Sequence, residues 1–300
     1  MLTDHCVINV HIDVCAEGHS AEAAEFRKVK DLADACVMQE RVQKILSQWG
    51  IASRRQAEQM ILEGRVRLNG EVAQLGQKTN PALDEVAVDG RIVKPIARPQ
   101  FLYLLLNKPV GTVSTCSDPQ NRSTVLDLLP QKIRQGQGLH PVGRLDVEST
   151  GALLLTNDGD LTYYLTHPRH HVSKTYQVWV EGIASEQMLR QWRQGVVLEG
   201  QKTLPAQVEV IHRAKTKTLL EVVLNEGRNR QIRRVADQLK HPVLQLHRTA
   251  IDSIQLNPPG RPFLPSGAYR PLESFEIQCL KDRIDLTLIG SPAEIQEHSG

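Results

Sequence analysis

A loop, a buried strand and a tight turn follow one another between His140 and Asp160, and this stretch constrains the fold most. Gly143 and Gly151 bracket a polar loop to which they give conformational freedom. The run Ala152–Leu155 is too short and too uniformly apolar for an exposed helix, so it predicts a core strand. The following Asn157-Asp158-Gly159 favours a turn. The chain is therefore expected to contain a packed sheet with a polar loop at its edge.

Arg144 and Asp146 lie in this loop, at the entrance to the predicted sheet. Catalytic groups are often mounted on loops that a rigid scaffold positions. An aspartate here can equally cap a turn while Arg144 stays in solvent, because Arg-x-Asp is a common tripeptide. Local chemistry leaves both interpretations open.

The segment His140-Pro-Val-Gly-Arg-Leu-Asp-x-x-Ser-Thr-Gly-x-Leu-Leu-Leu-Thr-Asn-Asp-Gly resembles the catalytic signature of RNA pseudouridine synthases. It is most similar to the branch that carries an N-terminal S4 domain and modifies ribosomal RNA, as in the small-subunit rRNA pseudouridine synthase A family. In that family the aspartate of Arg-Leu-Asp is the essential catalytic residue. The resemblance thus implies that Asp146 is the catalytic carboxylate and that Arg144 binds substrate.

The composition is that of an ordinary globular protein, with 300 residues, 40% apolar, 23% charged and a formal net charge of +2. No window approaches the roughly 20 apolar residues of a membrane span. The five cysteines form no CxxC pair and no ligand cluster, which predicts reduced thiols, no metal site and a cytoplasmic location. We expect a monomer with no membrane association.

Residues 1–37 differ from the rest of the chain in charge. They contain seven acidic and three basic residues, and they lack the basic and apolar regions of a secretory signal. Met38 then opens Met-Gln-Glu-Arg-Val-Gln-Lys-Ile-Leu, which resembles the usual start of family members. We therefore expect residues 1–37 to be a disordered or non-native extension that is dispensable. A short amphipathic docking helix over residues 21–38 is the alternative.

Residues 38–99 predict a compact RNA-binding domain. Apolar residues at helical spacing from Val42 predict a short helix that ends near Gly50. Ser53 and Gln56 form a capping-box pattern, which predicts the start of a second helix. Two hairpins are predicted, with turns at Asn69-Gly70 and Asp89-Gly90. This order, with Gly-Ile-Ala-Ser-Arg-Arg and Gly-Arg-Val-x-Leu-Asn-Gly, resembles the S4 domain.

Four arginines of this domain are candidates for contacts with RNA phosphates, because they converge on one helix start and one hairpin. They are Arg54, Arg55, Arg65 and Arg67. A solvated charged face is the alternative. A proline-rich linker at residues 94–99 then separates this domain from the remainder.

We expect residues 100–285 to form the catalytic domain and residues 286–300 to form a flexible tail. Predicted strands cover residues 101–106, 152–155, 173–181, 205–211, 218–224, 243–246 and 251–256. Predicted helices cover residues 124–129, 161–165, 185–193 and 229–240. Strands dominate without the regular alternation of a parallel doubly wound fold. The fold class is therefore α+β, with a mixed and largely antiparallel sheet, as the resemblance also implies.

Three further segments resemble family motifs and imply site residues. Lys174-Thr-Tyr matches the Lys-x-Tyr motif, whose tyrosine stacks on the target base and is a candidate for proton transfer. This assigns Tyr176 to catalysis and Lys174 to substrate binding, although a strand tyrosine can also simply fill a core. Leu246 resembles the apolar residue that packs against the flipped base.

The third of these segments is Glu226-Gly-Arg-Asn-Arg-Gln-Ile-Arg-Arg, in which the family's basic residue two after the glutamine pairs with the catalytic aspartate. The resemblance implies that this residue is Arg233. Its neighbours Arg228, Arg230 and Arg234 are expected to face RNA. The Gly-Arg-Asn-Arg-Gln sequence also favours members that act on large-subunit ribosomal RNA.

The implied reaction breaks the N-glycosidic bond of uridine, rotates the uracil and rejoins it through C5. It involves no net redox change or hydrolysis, so no cofactor is expected. An ionised Asp146, paired with Arg233, would serve as nucleophile or as base, and sequence does not decide between them.

The expected binding partner is ribosomal RNA or a pre-ribosomal particle. Two alternatives stay open: a non-catalytic S4-type ribosome-assembly protein, and a glycoside-type hydrolase that pairs Asp146 with Glu148.

Overall fold

A computed structural model of the chain describes residues 39–93, 100–134 and 137–289. These residues form two compact units, residues 39–93 and residues 100–289. The expectations for residues 1–37 and for the linker at residues 94–99 lie outside the described residues. No helix in the described part of the chain is long and apolar enough to cross a membrane.

The first unit contains two helices and short hairpins, as predicted. Its helices are α1 (Val42–Gln48) and α2 (Arg54–Leu62). Its strands are β1 (Glu40–Arg41), β2 (Val66–Leu68), β3 (Glu71–Val72), β4 (Lys78–Thr79), β5 (Val86–Val88) and β6 (Arg91–Val93). Strands β3-β2-β5-β6 form one antiparallel sheet and β1 pairs with β4. The apolar faces of both helices pack with β2 and β5 in a single core.

Local signals in the sequence account for these elements. The side chains of Ser53 and Gln56 form the predicted capping box at the start of α2. The hairpin turns at Asn69-Gly70 and Asp89-Gly90 have positive φ at both positions, which is the type I′ geometry that joins two-residue hairpins. These features confirm the S4-like architecture.

The second unit is built on a mixed nine-stranded sheet. Its main strands are β7 (Tyr103–Lys108), β8 (His140–Pro141), β9 (Thr150–Thr156), β10 (Lys174–Glu181), β13 (Gln207–Arg213), β14 (Lys217–Leu224), β15 (Val243–Ile251), β16 (Ile254–Gln255) and β17 (Tyr269–Pro271). A separate hairpin pairs β11 (Val197–Leu198) with β12 (Gln201–Lys202). The sheet order is β13-β14-β10-β15-β9-β7-β17, with β16 on β15 and β8 on β9.

Only one pairing among the described strands of this sheet is parallel, that between β15 and β9. All its other pairings are antiparallel, which confirms the predicted α+β class with a largely antiparallel sheet. The parallel pairing joins the half of the sheet that contains β10 to the half that contains β7.

Five helices pack around this sheet or connect its strands. They are α3 (Gln131–Arg134), α4 (Gly159–Thr166), α5 (Glu186–Gln194), α6 (Gln231–Gln238) and α7 (Ser274–Ile289). Apolar residues of α5 and α6 pack against β10, β13 and β14 in one core cluster. Strands β7 and β9 are apolar on both faces, because two further clusters cover them from opposite sides.

Three predicted elements are wrong in detail. Residues 124–129 form turns and not a helix, because the carboxylate of Asp127 accepts the backbone N–H and the hydroxyl of Thr124. Pro130 directly precedes the helix that follows. The predicted strand at residues 243–246 continues to Ile251, and the break before the next strand falls at residues 252–253. The predicted tail at residues 286–300 begins within α7, which extends to Ile289; residues 290–300 lie outside the described residues.

Candidate active site

A cavity of about 590 Å³ lies above the part of the sheet where β15 meets β9 and β10. Its walls come from the loop before β9, the end of α4, strands β10 and β15, and the segment that leads into α6. The sequence-predicted residues Arg144, Asp146, Lys174, Tyr176, Leu246, Arg228 and Arg230 all line it. Residues from four distant parts of the sequence thus meet at one site, whereas Arg233 does not line it.

Backbone hydrogen bonds hold the loop that carries Asp146 in place. Leu145 is buried, and its backbone N–H and carbonyl both bond to the hydroxyl of Ser114, at 3.2 and 2.9 Å. The backbone N–H of Ser149 donates to the carbonyl of Asp146 at 3.0 Å, closing a turn. These bonds hold the Asp146 side chain, which is 33% exposed, at the wall of the cavity.

Lys108 lies beneath this loop with its side chain fully buried. Its ammonium donates to the carbonyls of Ser149, Pro109 and Val147 at 2.8, 3.0 and 3.4 Å. Burial lowers the pKa of Lys108 to about 8, the charge of Asp146 opposes this shift, and the charge of Arg248 adds to it. No role was assigned to Lys108 from the sequence, in which it follows an apolar run.

The ion pair to Asp146 differs from the predicted one. Among the described residues it comes from Arg230, whose Nη1 lies 3.5 Å from Oδ2 of Asp146. Arg233 instead approaches Oε2 of Glu148 at 3.7 Å and the hydroxyl of Ser149 at 3.5 Å. The two arginines are three residues apart at the start of α6, so sequence spacing places both towards the loop. Arg230 lies at the position before α6 and has a left-handed backbone, whereas Arg233 lies within the helix.

Tyr176 and Leu246 lie on the sheet at the floor of the cavity. Tyr176 is half-buried on β10 and packs against the core clusters of both halves of the sheet. Leu246 is buried on β15, two residues from Arg248, so both side chains point to the same face. Arg248 pairs across the strands with Tyr176. No motif singled out Arg248, although a polar residue in the middle of a core strand was a usable signal.

Lys174 lies at the start of β10 and its ammonium donates to the carbonyl of Val172 at 2.7 Å. Burial lowers its pKa to about 8, helped by the charge of Arg248 and opposed by that of Asp252. Arg144 lies at the wall of the cavity. The site thus combines the carboxylates of Asp146 and Glu226, an aromatic ring and several cations.

Two arginines that were expected to face RNA make contacts at the β11–β12 hairpin. Arg228 donates to the carbonyls of Lys202 and Gln201 at 2.8 and 3.3 Å and pairs with Glu226 at 3.0 Å. Arg234 pairs with Glu199 at 2.7 Å. Both guanidinium groups are therefore engaged within the protein.

In the first unit, the four candidate arginines divide into two groups. Arg65 makes two bonds of 2.7 Å to the carboxylate of Asp89, which raises the pKa of its guanidinium, and Arg67 donates to the carbonyl of Gly70 at 2.8 Å. Arg54 and Arg55 are exposed at the start of α2 and make no ion pair or side-chain hydrogen bond with the described residues. Two cations at the helix start are therefore available to a ligand.

The described residues do not form a metal centre. Within residues 39–93, 100–134 and 137–289, histidine, cysteine and carboxylate side chains make no group of three or more that could hold a metal ion.

Both units match known protein families. Residues 102–238 match the RNA pseudouridylate synthase family, and residues 40–81 match the S4 domain. The architecture is therefore that of a pseudouridine synthase domain preceded by an S4 domain, as the sequence motifs predicted.

Individual relatives are similar along nearly their whole length. An uncharacterized RNA pseudouridine synthase of Mycobacterium tuberculosis is 42% identical over 82% of this chain and 94% of its own length. The ribosomal large subunit pseudouridine synthase B of Bacillus subtilis is 37% identical over 82% of this chain and 97% of its own. A crystal structure of a pseudouridylate synthase matches 80% of this chain and 99% of its own, with 30% identity and a TM-score of 0.58. The chain belongs to the RNA pseudouridine synthase family and is an isomerase.

Proposed function

We propose that this protein converts a specific uridine of large-subunit ribosomal RNA to pseudouridine, with Asp146 as the catalytic carboxylate. The observation that carries the proposal is the position of Asp146, on a pinned loop at the wall of a cavity whose floor holds Tyr176. The name of the Bacillus subtilis relative supports the large subunit as the substrate.

The reaction replaces the bond between N1 of uracil and C1′ of ribose with a bond between C5 and C1′, and the proton on C5 is lost. Asp146 contributes an anionic oxygen, either as a nucleophile or as a base that removes a ribose proton. The guanidinium of Arg230, 3.5 Å from this carboxylate, orients it and stabilises its charge. Arg233, which the sequence assigned to this role, acts on the loop through Glu148 and Ser149.

The target uridine must leave its helical stack to reach Asp146, because a stacked base does not expose its glycosidic bond. The cavity offers the half-buried ring of Tyr176 and the side chain of Leu246 as apolar surfaces for the extruded base. Arg144 lies at the wall, where a cation is able to fill the space that the base leaves. The cations of the S4 unit anchor the RNA backbone, and Arg54 and Arg55 are the ones available for phosphates.

A first experiment tests Asp146 directly. Asp146→Asn keeps the size of the side chain and removes the anionic oxygen, so we expect loss of activity with nearly unchanged RNA affinity. Release of tritium from RNA labelled at C5 of uridine measures the reaction. Activity of the variant within tenfold of wild type would show that Asp146 is not the reacting group.

Glu148→Gln is the matched control. Glu148 is 62% exposed, does not line the cavity, and pairs with Arg230 at 3.4 Å and Arg233 at 3.7 Å, so its replacement disturbs the same arginines. We expect this variant to keep most of its activity. A complete loss in both variants would favour chemistry by a carboxylate pair.

Mapping pseudouridine in ribosomal RNA from cells that lack this protein tests the substrate. We expect one large-subunit position to lose its modification and to regain it when the wild-type gene, but not the Asp146→Asn gene, is restored. An unchanged map, with defective ribosome assembly that Asp146→Asn rescues, would favour the non-catalytic S4-type function.

A further inference from the structure

Arg248 is a cation held rigidly at the floor of the cavity. It lies in β15 between two neighbours, since its Cα pairs with Tyr176 on β10 and with Gly151 on β9. Its side chain is 4% exposed, and its Nε donates to the carbonyl of Ala152 at 2.7 Å. The guanidinium is thereby fixed between the strand that follows the Asp146 loop and the strand that carries Tyr176.

One end of this guanidinium has no partner among the described residues. Its Nη2 is buried and makes no hydrogen bond to any of them. A buried donor without a partner costs free energy, and such groups are rare unless a ligand satisfies them. Because Arg248 lines the cavity, the missing acceptor is expected to come from the bound substrate.

The charges around Arg248 also favour an electron-rich ligand. Burial lowers the pKa of both Lys108 and Lys174, and the positive charge of Arg248 adds to each shift, so three cations that are buried or half-buried lie close together at the cavity. The carboxylates that act on these lysines are Asp146 and Asp252, and each already pairs with an arginine. This excess of positive charge attracts an oxygen atom that carries partial negative charge.

We propose that Arg248 binds the target base itself, by donating a hydrogen bond from Nη2 to a carbonyl oxygen of uracil. This inference rests on the proposed function, since it assigns a partner within the same cavity. Uracil has two such oxygens, O2 and O4, and both gain negative charge when the glycosidic bond breaks and the base departs with the bonding electrons. Arg248 is then both a binding and a catalytic residue, because its bond strengthens as that charge develops.

The position of Arg248 indicates that its ligand is the target base and not a phosphate of the RNA backbone. Directly paired residues on neighbouring strands have their side chains about 5 Å apart on one face of the sheet. A base that stacks on Tyr176 therefore brings its edge to Arg248. Phosphates are charged and hydrated, and they are expected at the rim of the cavity near Arg144 and not at the buried floor.

The test combines changes in the enzyme with changes of single atoms in the substrate. Single-turnover rates are measured for wild type and Arg248→Met on RNA that carries uridine, 2-thiouridine or 4-thiouridine at the target position. Sulfur is a much weaker acceptor than oxygen. We expect Arg248→Met to slow the isomerisation of uridine by roughly 10- to 100-fold, the range for a hydrogen bond from a charged donor.

One thio-substituted RNA should slow the wild-type enzyme by a similar factor and should slow Arg248→Met by less than about threefold. The affected position identifies the oxygen that accepts the bond. Equal thio effects in both enzymes would overturn the proposal. So would a fall of roughly one unit in the log–log salt slope of RNA binding by Arg248→Met, which would mark a phosphate contact.

Arg193→Met is the matched control, because Arg193 also donates from Nε to a strand carbonyl, that of Val208 at 2.8 Å, but lies outside the cavity. It should show wild-type rates and wild-type thio effects. Thermal melts establish that each variant is folded. Should Arg248→Met fail to fold, Arg248→Lys is used in its place. Lysine keeps the positive charge but lacks the planar guanidinium, so the same loss of the thio effect is expected.

Failure of this inference is distinguishable from failure of the proposed function. If wild type forms no pseudouridine in the ribosomal RNA, the proposed function is wrong. If wild type is active and Asp146→Asn is inactive, but Arg248→Met retains the wild-type thio effects, only the role of Arg248 is wrong.

Discussion

At the scale of single residues, the buried ammonium of Lys108 organises the site without lining the cavity. It bonds to three backbone carbonyls, two of which belong to the turn that follows Asp146. A buried charge is costly, and this cost is offset only while the surrounding acceptors are all in place. Lys108 therefore couples the position of the Asp146 loop to the packing of β7.

This coupling predicts a characteristic dependence of stability on pH. The pKa of Lys108 in the folded protein, about 8, is below its ordinary value of 10.5. Below pH 8 both the folded and the unfolded chain carry the proton, so the cost of burying the charge is fully present. Between pH 8 and 10.5 the unfolded chain binds more protons, so the free energy of unfolding rises with pH, by up to about 1.4 kcal/mol per unit.

Lys108→Met removes this contribution. The free energy of unfolding of wild type minus that of the variant should therefore increase as pH rises from 8 to 10. Urea denaturation at each pH measures the difference. Lys174 titrates in the same range but is present in both proteins and cancels. Lys215→Met, at an exposed lysine, should leave the difference constant. A constant difference for Lys108→Met as well would show that its ammonium is not destabilised by burial.

Sequence alone identified Asp146, Tyr176 and Leu246 as neighbours, because long motifs specify residue types at fixed spacing. It did not identify the ion-pair partner of Asp146, since Arg230 and Arg233 lie on the same side of one helix and their reach depends on the backbone before it. It also missed Lys108 and Arg248. The sequence shows each of them as a charged residue in or beside an apolar strand, but it does not show the backbone carbonyls to which they bond.

At the scale of elements, the parallel pairing of β9 with β15 brings two backbones close together at Gly151. A Cβ atom at Gly151 would lie 2.2 Å from the carbonyl oxygen of Arg248, and the φ of Gly151 is +105°. Only glycine permits this approach, because the opposing atom is backbone and cannot rotate away. The absence of a side chain at Gly151 thus sets the position of Arg248 relative to the Asp146 loop.

Gly151→Ala should lower the free energy of unfolding by about 3 kcal/mol or more, since the strands must separate or the backbone must change conformation. Denaturant titration measures the loss. Gly200→Ala provides the comparison, because Gly200 also has positive φ, at +79°, but has open space at the Cβ position. It should cost only about 1 kcal/mol from backbone strain. Equal losses would mean that crowding between the strands is unimportant.

The elements that sequence predicted well are those with local signals, such as the capping box at Ser53 and the hairpin turn at Asn69-Gly70. The elements that it predicted poorly are governed by contacts outside the segment. Strand β15 was predicted to end at Leu246 because His247, Arg248 and Thr249 interrupt its apolar pattern. In the structure those residues continue the strand, and Arg248 lies at the cavity floor.

At the scale of the whole molecule, the S4 unit and the catalytic unit carry different cations for RNA. Arg54 and Arg55 make no ion pair with the described residues, whereas Arg65 is engaged by Asp89. Changing Arg54 and Arg55 together to Gln should lower the log–log salt slope of RNA binding by roughly two units, about one for each phosphate that the variant can no longer bind. The single-turnover rate at saturating enzyme should remain near that of wild type, because the Asp146 site is unchanged.

Arg65→Gln is the internal control for this prediction, since its guanidinium is already neutralised and should change the slope by clearly less than one unit. Binding titrations at several salt concentrations distinguish the variants. A double variant with an unchanged salt slope and a slowed chemical step would show that the S4 unit takes part in catalysis and is not an RNA anchor.

The pairing of arginines with carboxylates inside the protein also affects how the enzyme finds its substrate. Arg65, Arg228, Arg230 and Arg234 each hold a carboxylate of the same chain, so an arbitrary polyanion gains little by approaching them. Encounters with unrelated transcripts are therefore expected to be brief, because few cations are ready to retain them. Of these arginines, Arg228 and Arg230 line the cavity, so an RNA that fits the cavity reaches them at close range. The residence time of the protein on each RNA then depends on how well that RNA fits the cavity. The search for the substrate therefore stays fast in a cell crowded with nucleic acid.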